Sequence, residues 1–427
     1  MYQKFRSRKA LLFSFLGVLL CVFLPAFVSG PLDAIAHTGT RVTSTVGSTF
    51  QSQSSRHSLT LRTAHSSLKT LVAHPAYPIV PFPSIDTSPT SGTTPTPDPS
   101  PTVDVSPTVG TTPTSTPVTT PTATGTPGTG TQSISVFVEP AAGEQVILDA
   151  INNAQQSVWL EDYILSDTNV ITALENAAKR GLDVRVMLDP HPYGGSSPQA
   201  TLAALNAAGA KAQISNPAFT YTHEKTFVFD GSTAYIMTCN MSYSALNGKN
   251  REYGAIDTTP QDVQGAINIF NADWNRTADT VNDSNLVISP DNSRNQFLSV
   301  INNAQTSLII EAEEMQDSAV EQAIASAAQR GVMVQVILPT PSGSSDSNAS
   351  GIATIKAGGA QVEEDSQLYM HAKMIVADGT LAYVGSVNIS TNSFNNNREL
   401  GVLFTDGPSI STLQQTFQSD WSVSQGV

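Results

Sequence analysis

A block of sequence in the C-terminal part of this chain recurs at a fixed distance, and that recurrence restricts the fold more than any other feature. Ile151-Asn152-Asn153-Ala154-Gln155 returns 150 residues later as Ile301-Asn302-Asn303-Ala304-Gln305, and Lys179-Arg180-Gly181 returns at the same offset as Gln329-Arg330-Gly331. The hydrophobic periodicities agree between the copies. Helical patterns over Glu144–Gln155 and Ser293–Gln305 lead into apolar strands over Ser157–Tyr163 and Ser307–Ala312. Second helices, Thr168–Arg180 and Ser318–Arg330, end in Arg-Gly, where glycine closes the helix before the strands Val184–Leu188 and Val334–Leu338. Strands alternating with helices predict an α/β fold: two repeated lobes with mixed sheets, over 132–280 and 281–427, packed as a pseudo-dimer around a site at their interface. Each lobe is long enough to bury a core of its own.

The residues before the repeats read differently. Lys4, Arg6, Arg8 and Lys9 precede an apolar run from Ala10 to Val28, followed by Ala34-Ile35-Ala36. This is the layout of an export signal over 1–36, cleaved or kept as an anchor, with the remainder placed outside the cytoplasm. Residues 37–131 are rich in Ser, Thr and Pro and poor in large apolar side chains. Such a segment buries too little surface to offset its ordering entropy and reads as a linker, bare or glycosylated.

Charge separates the same two parts. Residues 1–131 hold 8 Lys/Arg and 4 Asp/Glu, whereas residues 132–427 hold 13 and 31, a net of −18. A body this acidic repels nucleic-acid backbones at long range, so no specific nucleic-acid partner is expected. Two cysteines, one of them in the apolar run, exclude a disulfide scaffold and a cysteine zinc cage.

The chemistry-bearing residues lie late in each repeat. The first copy presents His223, Lys225, Asp230, Thr238, Asn240 and Glu252; the second presents His371, Lys373, Asp378, Ser386, Asn388 and Glu399. Histidine precedes aspartate by 7 residues and asparagine by 17 in both copies. Side chains at i and i+2 of a strand share a face, so each His-x-Lys pair projects together. Asp230-Gly231 and Asp378-Gly379 are hairpin dipeptides that return the chain, bringing Asn240 or Asn388 to the same patch. Each copy then offers an imidazole, an ammonium and an amide, with a glutamate available to orient the ring. Two such sets face to face allow one imidazole to attack phosphorus while the other protonates the leaving oxygen.

At this point the sequence resembles the phospholipase D superfamily, whose signature H-x-K-x4-D-x6-G-S-x-N occurs in two copies. The second copy matches throughout, including Gly385 and Ser386; the first has Met237 and Thr238 where the family has Gly-Ser. The resemblance implies a phosphohistidine intermediate, no required metal or other cofactor, and histidine-orienting acids at Glu252 and Glu399. It places the nucleophile at His223 and the acid–base at His371. Lys225, Lys373, Asp230 and Asp378 are carried over with the catalytic set, and Asn240, Asn388, Thr238 and Ser386 as phosphate contacts. The Asp-Gly context also gives both aspartates a structural reading, as turn residues bonding backbone.

Other residues carry bland and sharp readings side by side. His191 reads as a surface or satisfied core histidine standing where α/β loops gather. Tyr221 and Tyr369 read equally as packing or pocket wall. Glu161 and Glu311, at matching strand ends, read first as solvated or salt-bridged acids and second as receivers of a cationic headgroup. Cys239 reads as an inert buried thiol, Met237 as packing, and Glu363-Glu364-Asp365 as a solvated turn. Three functions are compatible: a phospholipase D hydrolysing lipid headgroup diesters at a membrane surface with transfer to alcohols as a side reaction, an extracellular nuclease, and a non-catalytic binding module. Acidity favours lipid over nucleic acid, and two intact His/Lys/Asn sets disfavour the binding module. A single hydrophobic segment counts against a cardiolipin-synthase-like transferase. The expected form is a monomer with an internal pseudo-dimer.

Overall fold

The computed structural model describes residues 132–343 and 345–427. The export segment and linker expected over 1–131 lie outside the described residues. The first copy runs β1 (Ile134–Glu139), α1 (Gln145–Asn153), β2 (Ser157–Asp162), α2 (Thr168–Lys179), β3 (Asp183–Leu188), α3 (Gln199–Ala207), β4 (Lys211–Ile214), β5 (Lys225–Phe229), β6 (Thr233–Met237), α4 (Tyr243–Leu246), β7 (Asn250–Asp257) and α5 (Pro260–Asn275). The second runs β8 (Leu286–Ser289), α6 (Ser293–Asn303), β9 (Ser307–Ala312), β10 (Met315–Gln316), α7 (Ser318–Gln329), β11 (Met333–Pro339), α8 (Ala349–Gly358), β12 (Gln361–Asp365), β13 (Tyr369–Met370), β14 (Lys373–Ala377), β15 (Leu381–Gly385), β16 (Ile389–Ser390), α9 (Thr391–Asn395), β17 (Glu399–Phe404), α10 (Gly407–Trp421) and β18 (Gln425–Gly426).

The duplication extends to strand order. One sheet reads β1-β7-β6-β5-β2-β3-β4 and the other β8-β17-β15-β14-β9-β11-β12, with β18 added at its edge. In each sheet three strands are parallel, where helices make the crossovers, and the rest of the main order is antiparallel, so both sheets are mixed; the two-residue β13 of the second copy joins the first sheet in parallel with β7. The element starts follow from local chemistry. Asp167 and Asp317 accept backbone N–H groups at the first turns of α2 and α7. Gly181 and Gly331 follow those helices at φ of 91° and 92°, a conformation costly for a residue with a Cβ.

Period-two alternation then divides the core. Phe227 and Phe229 of β5 face α1, α2 and α3, whereas Val228 faces the other sheet. β14 and β15 likewise send Met374, Val376, Ala382 and Val384 into a cluster shared with β6, β7, α5 and α10. The two sheets therefore pack on each other through one apolar layer, with a helical layer outside each. Among the described residues no helix is long and apolar enough to cross a membrane.

One expected turn is a strand. Glu363-Glu364-Asp365 ends β12, parallel to β11 and partly antiparallel to β18. Val362 is buried in the outer core, and Asp365 accepts the N–H groups of Gln367 and Leu368, so the turn begins after the acids.

Candidate active site

Both motif histidines stand just outside the strands that carry their lysines, and each is held by the opposite copy. Thr222 bridges Arg398 in parallel, the His223 N–H donates to the Arg398 carbonyl at 2.9 Å, and the Arg398 N–H donates to the Tyr221 carbonyl. On the other side, Tyr369 and Met370 of β13 pair in parallel with Asn250 and Arg251 of β7. These pairings set His223 beside Glu399 and His371 beside Glu252. His223 Nδ1 is 2.9 Å from Glu399 Oε2, and His371 Nδ1 is 2.8 Å from Glu252 Oε1. The in-copy orientation expected from sequence is thus replaced by a crossed one. The reason is the parallel pairing between segments 176 residues apart on one side and 119 on the other, which no local spacing reports.

Burial raises the proton affinity of both glutamates, but their histidines and nearby lysines outweigh it and hold the carboxyls below their usual range. Each carboxylate is fixed by further donors. Thr238 Oγ1 donates to Glu252 at 2.6 Å and Asn250 Nδ2 at 3.0 Å; Ser393 Oγ and Asn397 Nδ2 donate to Glu399 at 2.7 and 3.0 Å. An ionised Glu399 accepts the Nδ1–H of His223, which leaves the lone pair on Nε2. Burial, with Lys225 and Lys373 assisting and Glu399 opposing, brings the His223 imidazole down to about 4, so it is neutral at physiological pH.

The two histidines, Asn240 and Asn388 line one cavity of about 450 Å³ between the copies, together with Tyr163, Tyr221 and Glu313. Lys225 and Lys373 begin β5 and β14 and are buried; each ammonium donates to the carbonyl of its own histidine, Lys373 at 2.7 Å. Burial and Lys373 bring the Lys225 ammonium down to about 8 against the pull of Glu399 and Asp162. The structure therefore brings together a histidine, a lysine and an asparagine from each copy.

Four expected site residues lie elsewhere. Thr238 and Ser386 are fully buried and do not line the cavity. Their hydroxyls accept the N–H groups of Tyr253 and Leu400, knitting strand to strand, and Thr238 reaches the site only through Glu252. Their expected contact with phosphate is corrected accordingly. Asp230 and Asp378, carried over with the catalytic set, sit at hairpin tips with φ of 53°. Asp230 accepts the N–H groups of Gln155, Gln156 and Ser157, and Asp378 those of Gln305, Thr306 and Ser307, at 2.7–3.1 Å. Burial opposes ionisation of Asp378, yet these N–H groups bring its carboxyl down to about 2. Both aspartates clamp the entry to the central strand. Asp378→Ala should cost about 2 kcal/mol of stability by losing these bonds at a positive φ, while the folded fraction keeps its turnover. Denaturant unfolding and kinetics on one preparation check this; a selective loss of turnover would return Asp378 to the catalytic set.

The remaining readings divide. His191 is exposed and does not line the cavity. Tyr221 is pocket wall, edge-on to Tyr163 at 5.7 Å. Cys239 is a buried free thiol, and Met237 joins the outer core of the first copy. Glu161 and Glu311 are fully buried, which removes both the solvated and the headgroup readings. Glu311 accepts the hydroxyl of Tyr253 at 2.5 Å, while Glu161 lies with Glu224 and Asp273 beside Arg398.

Sequence reasoning missed three residues. Arg251 pairs with Asp420 of α10, and Arg398 with Asp273 of α5, so each copy's C-terminal helix is tied to the other copy's strand. The signal was present: Asn250-Arg251-Glu252 and Asn397-Arg398-Glu399 repeat as a tripeptide. The third is Glu313, which occupies the position of Tyr163 at the repeat offset and lines the cavity. Its Oε2 accepts from Lys373 Nζ at 2.8 Å and lies 3.4 Å from His371 Nε2 and from Asn388 Nδ2. Burial opposes its ionisation, but His371 and Lys373 hold the carboxyl far below its usual range.

Comparison with known proteins agrees with this geometry. The family described as cardiolipin synthase, PLD-like domain, matches residues 147–274 and again 297–421. A cardiolipin synthase of Clostridium perfringens is 25% identical over 328 residues, covering 65% of this chain and 68% of that protein. The major cardiolipin synthase of Bacillus subtilis is 25% identical over 338 residues, covering 69% and 70%. Among solved structures, a phosphatidylserine synthase from Haemophilus influenzae shares the fold with a TM-score of 0.53 and 14% identity, over 69% of this chain and 87% of that one. A polyphosphate kinase from Porphyromonas gingivalis does so with a TM-score of 0.56 and 13% identity, over 68% and 47%. With the motif present twice, and with both copies matched, the chain belongs to the phospholipase D superfamily and is a phosphodiesterase of that type, acting on phosphoric diester bonds.

Proposed function

We propose that this enzyme cleaves the headgroup phosphodiester of a phospholipid through a phosphohistidine on His223 and passes the phosphatidyl group to water or an alcohol. The observation that carries the reading is the pair of crossed imidazole–glutamate couples lining one cavity between the copies. In the first half-reaction the Nε2 lone pair of His223 attacks phosphorus, the bond to the leaving oxygen breaks, and His371 gives that oxygen a proton. In the second, His371 takes a proton from the incoming water or alcohol, whose oxygen displaces His223. Lys225 and Lys373, beside the two rings, offset the charge that gathers on the non-bridging oxygens, and Asn240 and Asn388 are positioned to donate to them.

The lipid assignment draws on the acidity of residues 132–427 and on the names of the relatives, which are lipid synthases. Those names bring transfer level with hydrolysis, where the single hydrophobic segment had set it behind. Export by residues 1–36 would place the reaction outside the cytoplasmic membrane. The test gives the full chain vesicles of phosphatidylcholine or phosphatidylglycerol with ethanol, and separately DNA. Phosphatidylethanol, or cardiolipin from phosphatidylglycerol alone, supports the reading; DNA cleavage with no lipid product overturns it.

The neutral His223 gives this reading a pH signature. Protonation removes the attacking lone pair, so kcat/KM should fall with acidity around a midpoint near 4 rather than near the ordinary histidine value of about 6.5. A profile measured between pH 3.5 and 8 checks it. An acid limb at 6.5 would contradict a neutral, buried nucleophile.

A further inference from the structure

Glu313 breaks the symmetry of the site beside the rings, and its neighbour Glu314 does so further along the wall, where the first copy has Ile164. The position 150 residues before Glu313 is Tyr163, whose ring stands edge-on to His223 at 4.7 Å with the Lys225 ammonium 5.1 Å from its centre. In the second copy the same position carries a carboxylate, and one of its oxygens is the point on which His371 Nε2, Lys373 Nζ and Asn388 Nδ2 converge. On the reading of the preceding section, Lys373 and Asn388 face the non-bridging oxygens of a bound phosphate and His371 faces its leaving oxygen. A single anionic oxygen held by an imidazole, an ammonium and an amide copies the contacts of phosphate oxygens.

The carboxylate also has a second place to go. Glu313 lines both the main cavity and an adjoining one of about 180 Å³ walled by Tyr369, Thr340 and Ser342. Its other oxygen already accepts the Tyr369 hydroxyl at 3.0 Å on that side. Rotation toward Tyr369 would exchange the three donors for that hydroxyl and the side cavity, leaving the donors to an incoming anion.

We propose that Glu313 is a resident anion in the second-copy half of the phosphate site, which a substrate phosphate must displace toward Tyr369 before it binds. The inference rests on the phosphate reading of the cavity. It makes the first copy, with its tyrosine, the side that meets phosphorus first, and it sets a threshold that a weakly bound phosphate cannot pass. The chemistry recognised is that of a phosphate group, whether free or in a diester.

The test measures binding of inorganic phosphate to the full chain by calorimetry at pH 7, without any lipid. Glu313→Gln keeps the shape and removes the charge, and Glu313→Tyr gives the second copy the residue of the first. Both should bind phosphate at least about tenfold more tightly than the unaltered chain, because the competing anion is gone. Adding Lys373→Ala to Glu313→Gln should abolish the gain. Thermal midpoints show which variants are folded, and either folded variant suffices. Phosphate affinity that is unchanged or weaker, or undetectable in every protein at 10-fold excess over the millimolar range (about 10 mM), overturns the proposal. So does a lowered kcat with unchanged phosphate affinity, since that assigns Glu313 to proton handling. Absence of lipid turnover in all the proteins would count against the proposed function alone and would leave the phosphate comparison standing.

Discussion

His223→Ala is expected to lower turnover by on the order of 10⁴-fold or more, because it removes the atom to which phosphorus becomes bonded. His371→Ala should behave differently when the leaving group needs no proton. With a 4-nitrophenyl phosphodiester, departure of nitrophenolate does not require the acid, so the first half-reaction survives while the second, which needs a base, stalls. The His371 variant should then release a burst of nitrophenol equal to the enzyme and retain phosphorus covalently through denaturation in base. The His223 variant should show neither. The assignment has a structural basis in the unequal surroundings of the two rings. His223 faces the edge of Tyr163 and is brought down to about 4, keeping its lone pair. His371 has the Glu313 carboxylate 3.4 Å from the corresponding nitrogen. A burst in the His223 variant and none in the His371 variant would exchange the roles. Activity surviving the double substitution, or lost to chelator alone, would remove the histidine mechanism altogether.

Much of this was legible in the chain itself. The 150-residue recurrence, carried by Ile151–Gln155 and Ile301–Gln305, foretold two lobes of equal topology, and the strand orders agree strand for strand. The His-x-Lys and Asn spacings identified the histidines and asparagines that line the cavity and the buried lysines beside the rings, since strand alternation and a short Asp-Gly hairpin are local rules. What was not legible is what depends on the lobes meeting. Glu252 and Glu399 were recognised as orienting acids, but not that each serves the other copy's ring, because that follows from the parallel bridge of Thr222 to Arg398 and its counterpart at Met370 and Arg251. Thr238 and Ser386 were misread for a related reason. A hydroxyl two residues before the site asparagine looks like a phosphate donor in one dimension, yet just past the ends of β6 and β15 it is taken up by the neighbouring strand, by Glu252 and Tyr253 or by the backbone of Leu400. Glu313 escaped notice because the motif begins 58 residues later, and only comparison with Tyr163 exposes it.

The cross-lobe arginines yield the largest expected effect on stability. Arg398 is buried, with Nε 2.8 Å from Asp273, Nη2 2.8 Å from Asp279, and Nη1 donating to the Ser289 carbonyl at 3.1 Å. Its guanidinium also lies 4.4 Å from the centre of the Phe219 ring. Glu161, Glu224 and Asp273 crowd the same place, with carboxylate oxygens within 4.8 Å of one another. Removing one partner of a buried ion pair strands the other, and here it strands a cluster, so Arg398→Ala should cost about 3–5 kcal/mol. The cost should depend on pH in a defined direction. Burial, then Asp273, raises Glu224 to about 8, and burial raises Glu161 well above its ordinary range, with Arg398 opposing both. A raised acid favours the folded state while protonated; that contribution is complete below the unfolded value of about 4.5 and is lost as pH rises through about 8. Without Arg398 the raising is stronger and the loss with pH is steeper. The variant's deficit, from denaturant midpoints of both proteins, should therefore be clearly larger at pH 8 than at pH 5. An equal deficit at the two pH values would mean that Arg398 acts through packing on Phe219 and not by compensating the buried acids. The folded fraction of the variant should also turn over more slowly, because the Arg398 side chain, through Asp273 and Asp279, anchors the segment whose backbone holds His223 in register beside Glu399.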